Sequence, residues 1–242
     1  MGGRPVGAIL ALPQGLAVCP MKPYYEQDGI TIYHGDCREI LPRFTAWQWS
    51  DASPVVLITD PVWPNASVPL VGTDNPYGLF REMWEALAGR SITRAAIQLG
   101  CDSDPRFLES VPLRFFRVAW LELVRMGYKG RKGMTGDVGY LFGPPPKSRP
   151  GQHIIPGRCI DNSSDGKQAA HPCPRKIAHV KWLVRWWSEE GETVLDPFVG
   201  SGTTLRAAKD LGRHAIGVEI EERYCEIAAR RLDQGVLDLA AR

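Results

Sequence analysis

Apolar positions in this chain change period several times, and each change marks an element. Ile30-Thr31-Ile32-Tyr33-His34 alternates and is rich in β-formers, so it predicts a strand that ends in Gly35-Asp36. Val55 to Thr59 is a continuous apolar run of the kind buried on both faces, and it ends in Asp60-Pro61. From Asn75 to Ala88 the spacing becomes helical, with Leu79, Met83, Trp84 and Leu87 on one side, Asn75 at the cap and Pro76 in the first turn. Ile92 to Leu99, Arg114 to Leu121 and Val138 to Phe142 read as further strands. Periodicity stops from Gly143 to Cys173, a stretch rich in Pro, Gly, Ser and Asn that predicts no element. It returns as a helix over Arg175 to Ser188, a strand over Thr193 to Asp196, a helix over Thr203 to Leu211, a strand over His214 to Val218 and a helix over Arg223 to Leu232. Alternation of strand and helix predicts an α/β fold with a mostly parallel sheet and helices on both faces. Ligands in such sheets bind beyond the carboxyl ends of the strands. Asp36, Asp60, Asp196 and Glu219 all fall at such ends.

The chain has 242 residues and a formal net charge of +2, so bulk charge gives no case for nucleic acid and any basic surface must be local. Its cysteines are scattered without a C-x-x-C pair, which predicts a reduced, cytoplasmic protein with no structural metal site. No apolar stretch reaches membrane-spanning length. Residues 1–20 are rich in Gly, Ala, Pro and Leu and read as a disordered tail or an over-extended start before Met21. Residues 21–242 read as a single catalytic domain, with an embedded irregular region around 129–173.

The stretch Asp196-Pro197-Phe198-Val199-Gly200-Ser201-Gly202-Thr203-Thr204 joins a strand to a helix through glycines, which lets backbone approach a ligand closely. A P-loop needs a lysine after its last glycine, and a dinucleotide fingerprint needs a third glycine; neither is present. S-adenosylmethionine, with an adenosine and an amino acid but no phosphate, suits the loop better. Backbone meets its methionine part and an acid receives its α-ammonium. Glu219, at the tip of the next strand, suits the ribose hydroxyls. A turn shaped by glycines for geometry alone is the plain alternative.

Asp60-Pro61-Val62-Trp63 supplies the company that favours the methyl-donor reading. With Gly35-Asp36-Cys37, His171-Pro172-Cys173-Pro174-Arg175-Lys176, Asp196 to Thr204 and Gly217-Val218-Glu219, it resembles the β group of amino-methylating DNA methyltransferases, over roughly Tyr24 to Leu232. The likeness is greatest to small methylases carried by phages and prophages. It implies a Rossmann-like S-adenosylmethionine-dependent methyltransferase fold with a seven-stranded sheet. It further implies catalytic Asp60, Pro61, Val62 and Trp63, and a cofactor set of Asp36, His171, Arg175, Asp196, Pro197, Phe198, Gly200, Ser201, Gly202, Thr203 and Glu219. Val62 replaces the family's usual second proline, and Lys176 replaces a proline in the His171 segment. Cys173 lies before the cofactor motif and has no Glu-Asn-Val partner, so it reads as a structural thiol rather than a cytosine-C5 nucleophile.

The implied activity is methyl transfer from S-adenosylmethionine to the exocyclic amino group of a base flipped out of double-stranded DNA. Aspartate at position 60 favours adenine-N6; cytosine-N4 and a catalytically weak relic that only binds DNA or cofactor are the alternatives. Lys129, Arg131, Lys132, Lys147 and Arg149 are candidate phosphate contacts, with a solvated loop as the bland reading. A homodimer and a cognate restriction endonuclease are partners the resemblance allows, in a bacterium or a phage host.

Overall fold

The computed structural model describes residues 21–44, 54–66, 69–129, 132–148, 156–161 and 175–234. Its strands are β1 (Tyr25–Gln27), β2 (Ile30–His34), β3 (Val55–Thr59), β4 (Ile92–Gly100), β5 (Phe115–Lys129), β6 (Lys132–Phe142), β7 (Arg158–Asp161), β8 (Thr193–Asp196) and β9 (His214–Glu219). Its helices are α1 (Cys37–Ile40), α2 (Pro76–Ala86), α3 (Ile177–Trp187), α4 (Thr203–Asp210) and α5 (Glu222–Asp233). The strands form one sheet in the order β1-β2-β9-β8-β3-β4-β6-β5-β7.

The centre of the sheet, β2-β9-β8-β3-β4, is parallel throughout. β6 runs antiparallel between β4 and β5, and β1 is an antiparallel edge. Strand polarity therefore brings the carboxyl ends of β2, β9, β8, β3 and β4 to one edge, as the sequence predicts.

Helices cover both faces, and the alternation of side chains shows why. On one face Ile30, Ile32, Val56, Ile58 and Val194 pack with Val184 and Trp187 of α3, Leu205 of α4 and Ala228 of α5. On the other, Tyr33, Val55, Leu57, Ile97 and Val218 pack with Ile40 of α1 and Phe80, Met83 and Trp84 of α2. Every residue of β3 is buried, the outcome expected for a continuous apolar run with a layer on each side.

Among the described residues the sheet has nine strands rather than the seven expected. Two short edge strands make the difference. β1 is three residues long and β7 four, and neither carries an apolar repeat. β7 lies inside the stretch read as free of elements; it is specified by parallel pairing with Trp120 to Leu123 of β5, not by its own pattern. β5 and β6 also run further than predicted, meeting at a hairpin where Lys129 pairs with Lys132. The basic, glycine-rich sequence there masked the strands that lead into it.

Candidate active site

A cavity of about 640 Å³ opens at the carboxyl edge of the parallel strands. Its walls come from the segments after β2, β3, β8 and β9, together with Arg175 just before α3. That volume falls within the range of ordinary small-molecule sites.

The glycine loop forms one wall. Gly200 and Gly202 adopt φ of 52° and 79°, a region that favours glycine. A Cβ on Gly202 would stand 2.8 Å from the Ala228 side chain, so α5 also forbids one there. Glu219 braces the loop from β9: Oε2 accepts from the Gly200 N–H at 2.7 Å and Oε1 from the Glu221 N–H at 2.9 Å. Burial raises the Glu219 pKa, while these backbone donors oppose the rise. A carboxylate has about four acceptor positions, so two backbone bonds leave capacity for hydroxyls.

Asp196 is 1% exposed. Its Oδ1 accepts from Thr59 Oγ1 at 2.6 Å and from the Phe198 N–H at 3.0 Å, tying the ends of β3 and β8 together. Burial pushes its carboxyl up to about 6. Asp36 caps α1 by accepting from the Arg38 N–H at 2.9 Å, and its Oδ2 pairs with Arg38 Nη2 at 2.6 Å. The Arg38 bond holds its carboxyl below the usual range. Asp36 thus both caps α1 and lines the cavity. Pro197 and Ser201 are buried in the loop, Phe198 half-buried, and Thr203 accepts from Arg231 Nη1 at 2.8 Å.

The tetrad forms the facing wall. The Trp63 indole N–H donates to the Gln98 carbonyl at 3.2 Å, which fixes the ring beside the end of β4. Gly100 makes room for it, since a Cβ there would lie 2.7 Å from the ring. Arg175 Nε donates to Asp60 Oδ2, and its Nη1 donates to Asp137 Oδ2 at 3.1 Å. The same guanidinium lies over the Trp63 ring, 3.9 Å from its centroid. Asp60 Oδ1 is buried without a hydrogen-bond partner among the described residues. Burial raises the Asp60 pKa, the Arg175 charge lowers it, and Asp137 raises it again.

The structure therefore brings Asp36, Asp60, Pro61, Val62, Trp63, Arg175, Asp196, Pro197, Phe198, Gly200, Ser201, Thr203 and Glu219 around one cavity. Arg175, read from the sequence as a cofactor residue, touches the tetrad. His171, Cys173, Arg131 and Arg149 lie outside the described residues. Lys147 is exposed, and Lys129 and Lys132 stand at the β5–β6 hairpin. Asp137 and Gln98 escaped the sequence reading; Gln98 Nε2 donates to Asp137 Oδ2 at 2.9 Å. The signal for Gln98 was present, as a lone amide inside the apolar run of β4.

Parallel strands flanked on both faces, with a glycine loop and an acid at successive strand ends, give a Rossmann-like α/β fold with its site at the carboxyl edge of the sheet. Residues 145–230 match the N6_N4_Mtase family model, described as DNA methylase, in line with the amino-methylating resemblance of the motifs in that stretch; the Asp36 and Asp60 motifs lie outside the match. The chain is 45% identical over 69 residues to the orphan methyltransferase M.BamHII of Bacillus amyloliquefaciens, covering 28% of this chain and 25% of that protein. It is 43% identical over 63 residues to the type II methyltransferase M2.DpnII of Streptococcus pneumoniae, covering 26% and 24%. The chain thus spans about a quarter of the length of these curated relatives. Among solved structures, the M1.HpyAVI–SAM complex superposes with a TM-score of 0.65 at 23% identity, over 84% of this chain and 99% of that one. The cytosine-N4-specific PvuII DNA methyltransferase superposes with a TM-score of 0.66 at 17% identity, over 89% and 90%.

Proposed function

We propose that this chain is a DNA methyltransferase that uses S-adenosylmethionine to methylate an exocyclic amino group, adenine-N6. The observation that carries the reading is the position of Asp60-Pro61-Val62-Trp63. The tetrad follows β3, which is hydrogen-bonded to β8, the strand that delivers the glycine loop to the same cavity. The residues fit the cofactor: an open backbone cradle at Gly200, a braced carboxylate with spare acceptor capacity at Glu219 and a buried acid at Asp196. When bound there, it supplies an electrophilic sulfonium methyl.

The amino group of a base is a poor nucleophile because its lone pair is delocalised into the ring. Asp60 and the Pro61 carbonyl accept its hydrogens, which frees the lone pair and stabilises the positive charge that develops on nitrogen. Trp63 offers a flat wall to the flipped base, contributing on the order of 1–3 kcal/mol. No covalent enzyme intermediate is needed. Aspartate at position 60 supports adenine, since that variant of the motif resembles adenine enzymes more often. Lys129, Arg131, Lys132, Lys147 and Arg149 remain our candidates for phosphate contacts.

Asp60→Ala tests the assignment. Methyl transfer to DNA is expected to fall by at least about 100-fold, while S-adenosylmethionine binding, measured by calorimetry, stays within about threefold. Activity near the parent level would refute the catalytic role of Asp60.

A further inference from the structure

Taking the Proposed function as its basis, we infer that Arg175 is an internal occupant of the target-base slot and must leave Asp60 before a base can enter. Its guanidinium is planar, carries N–H groups on its edge and lies 3.9 Å from the Trp63 centroid. It donates to Asp60 Oδ2. These are two of the three contacts assigned above to the target base: a π-face on Trp63 and an N–H on Asp60, the Pro61 carbonyl being the third. A guanidinium and an aminopyrimidine are both planar and both present N–H donors at an edge.

The accessibility of Asp60 points the same way. Oδ1 is buried, and Oδ2, the oxygen left toward the cavity, is the one that Arg175 engages, so an incoming amine must compete with the guanidinium for it. Among the described residues, the side chains that meet the guanidinium include Asp60 from the end of β3, Trp63 from the loop beyond it and Asp137 from β6. Asp137 is the second anchor. Gln98 of β4 holds its Oδ2, and Arg175 already donates to that oxygen. Release from Asp60 therefore leaves the guanidinium paired with Asp137 rather than stranded in a partly buried site. Arg175 and the base compete for one slot, and the apparent affinity for a base is reduced by the fraction of molecules in which Arg175 fills it.

Calorimetry with dAMP and dCMP tests this on the full chain, its Arg175→Ala and Arg175→Gln variants, and each variant combined with Trp63→Ala. Folding is confirmed by circular dichroism. Emptying the slot should tighten binding of at least one nucleotide about tenfold, and Trp63→Ala should erase the gain. Equal or weaker binding by both folded single variants, or a gain that survives Trp63→Ala, overturns the proposal. Methylation of genomic DNA by the parent protein is assayed alongside. A gain in binding without any methylated product supports the slot and refutes the methyltransfer reading; product without the gain refutes the slot alone.

Discussion

Asp196 shows how burial and function pull on one side chain. It is almost fully enclosed, and its carboxyl is pushed up to about 6 by desolvation, against donors from Thr59, Thr204 and Phe198 and with Asp60 adding to the rise. A folded pKa above the unfolded value means that the neutral form stabilises the fold. That contribution is complete below the reference value of 3.8 and is lost as pH rises through about 6. Asp196→Asn removes the titration while keeping an oxygen for Thr59 and Phe198. Chemical denaturation should therefore show the variant losing less stability than the parent between about pH 4 and pH 7. Equal slopes would contradict the assignment. At this scale the sequence located the acids that line the cavity, because each stands at a strand end. It was a poor guide to their partners. Nothing in the order of residues announces that Arg175 reaches Asp60, since the two are 115 positions apart.

Among the elements, β9 approaches the glycine loop closely. Gly217 lies in mid-strand, where a Cβ would meet Val199 Cγ2 at 2.3 Å and Leu205 Cδ2 at 2.9 Å. Val199 belongs to the glycine loop and Leu205 to α4, so those side chains, or the loop that carries one of them, must give way if Gly217 acquires a side chain. Gly217→Ala should cost about 1–3 kcal/mol of stability and weaken S-adenosylmethionine binding, both measurable by denaturation and calorimetry. Unchanged values in both would show that the loop is not held by this contact. The elements that the sequence revealed share a property: their apolar period is set by burial. Val55–Thr59 and Thr193–Asp196 match the predicted spans to the residue, because both are central strands with helices on either side. β1 and β7 escaped notice because edge strands obtain their geometry from a neighbour's backbone.

At the scale of the molecule, a buried ion pair joins the two halves of the chain. Arg94 of β4 pairs with Glu192, just before β8, and donates from Nε to the Trp187 carbonyl at 3.1 Å. Both side chains are about nine-tenths buried. Removing one partner would leave an uncompensated charge, so Glu192→Ala should destabilise the protein by about 3–5 kcal/mol, read from denaturant unfolding. A loss below about 1 kcal/mol would place the pair among weak surface bridges. Parallel order, helices on both faces and the site edge were legible because alternating strands and helices leave few topologies. The extra strands and the joining of the halves through Arg94 and Glu192 were not, since both depend on contacts between distant segments. The chemistry follows from this scale too: one edge of one sheet carries the tetrad and the glycine loop together. Incubation of the protein with S-adenosylmethionine and genomic DNA, followed by digestion to nucleosides and mass spectrometry, tests that claim most directly. The account predicts N6-methyladenine, absent with Asp60→Ala; N4-methylcytosine would contradict the choice of base, and no methylated nucleoside would contradict the activity itself.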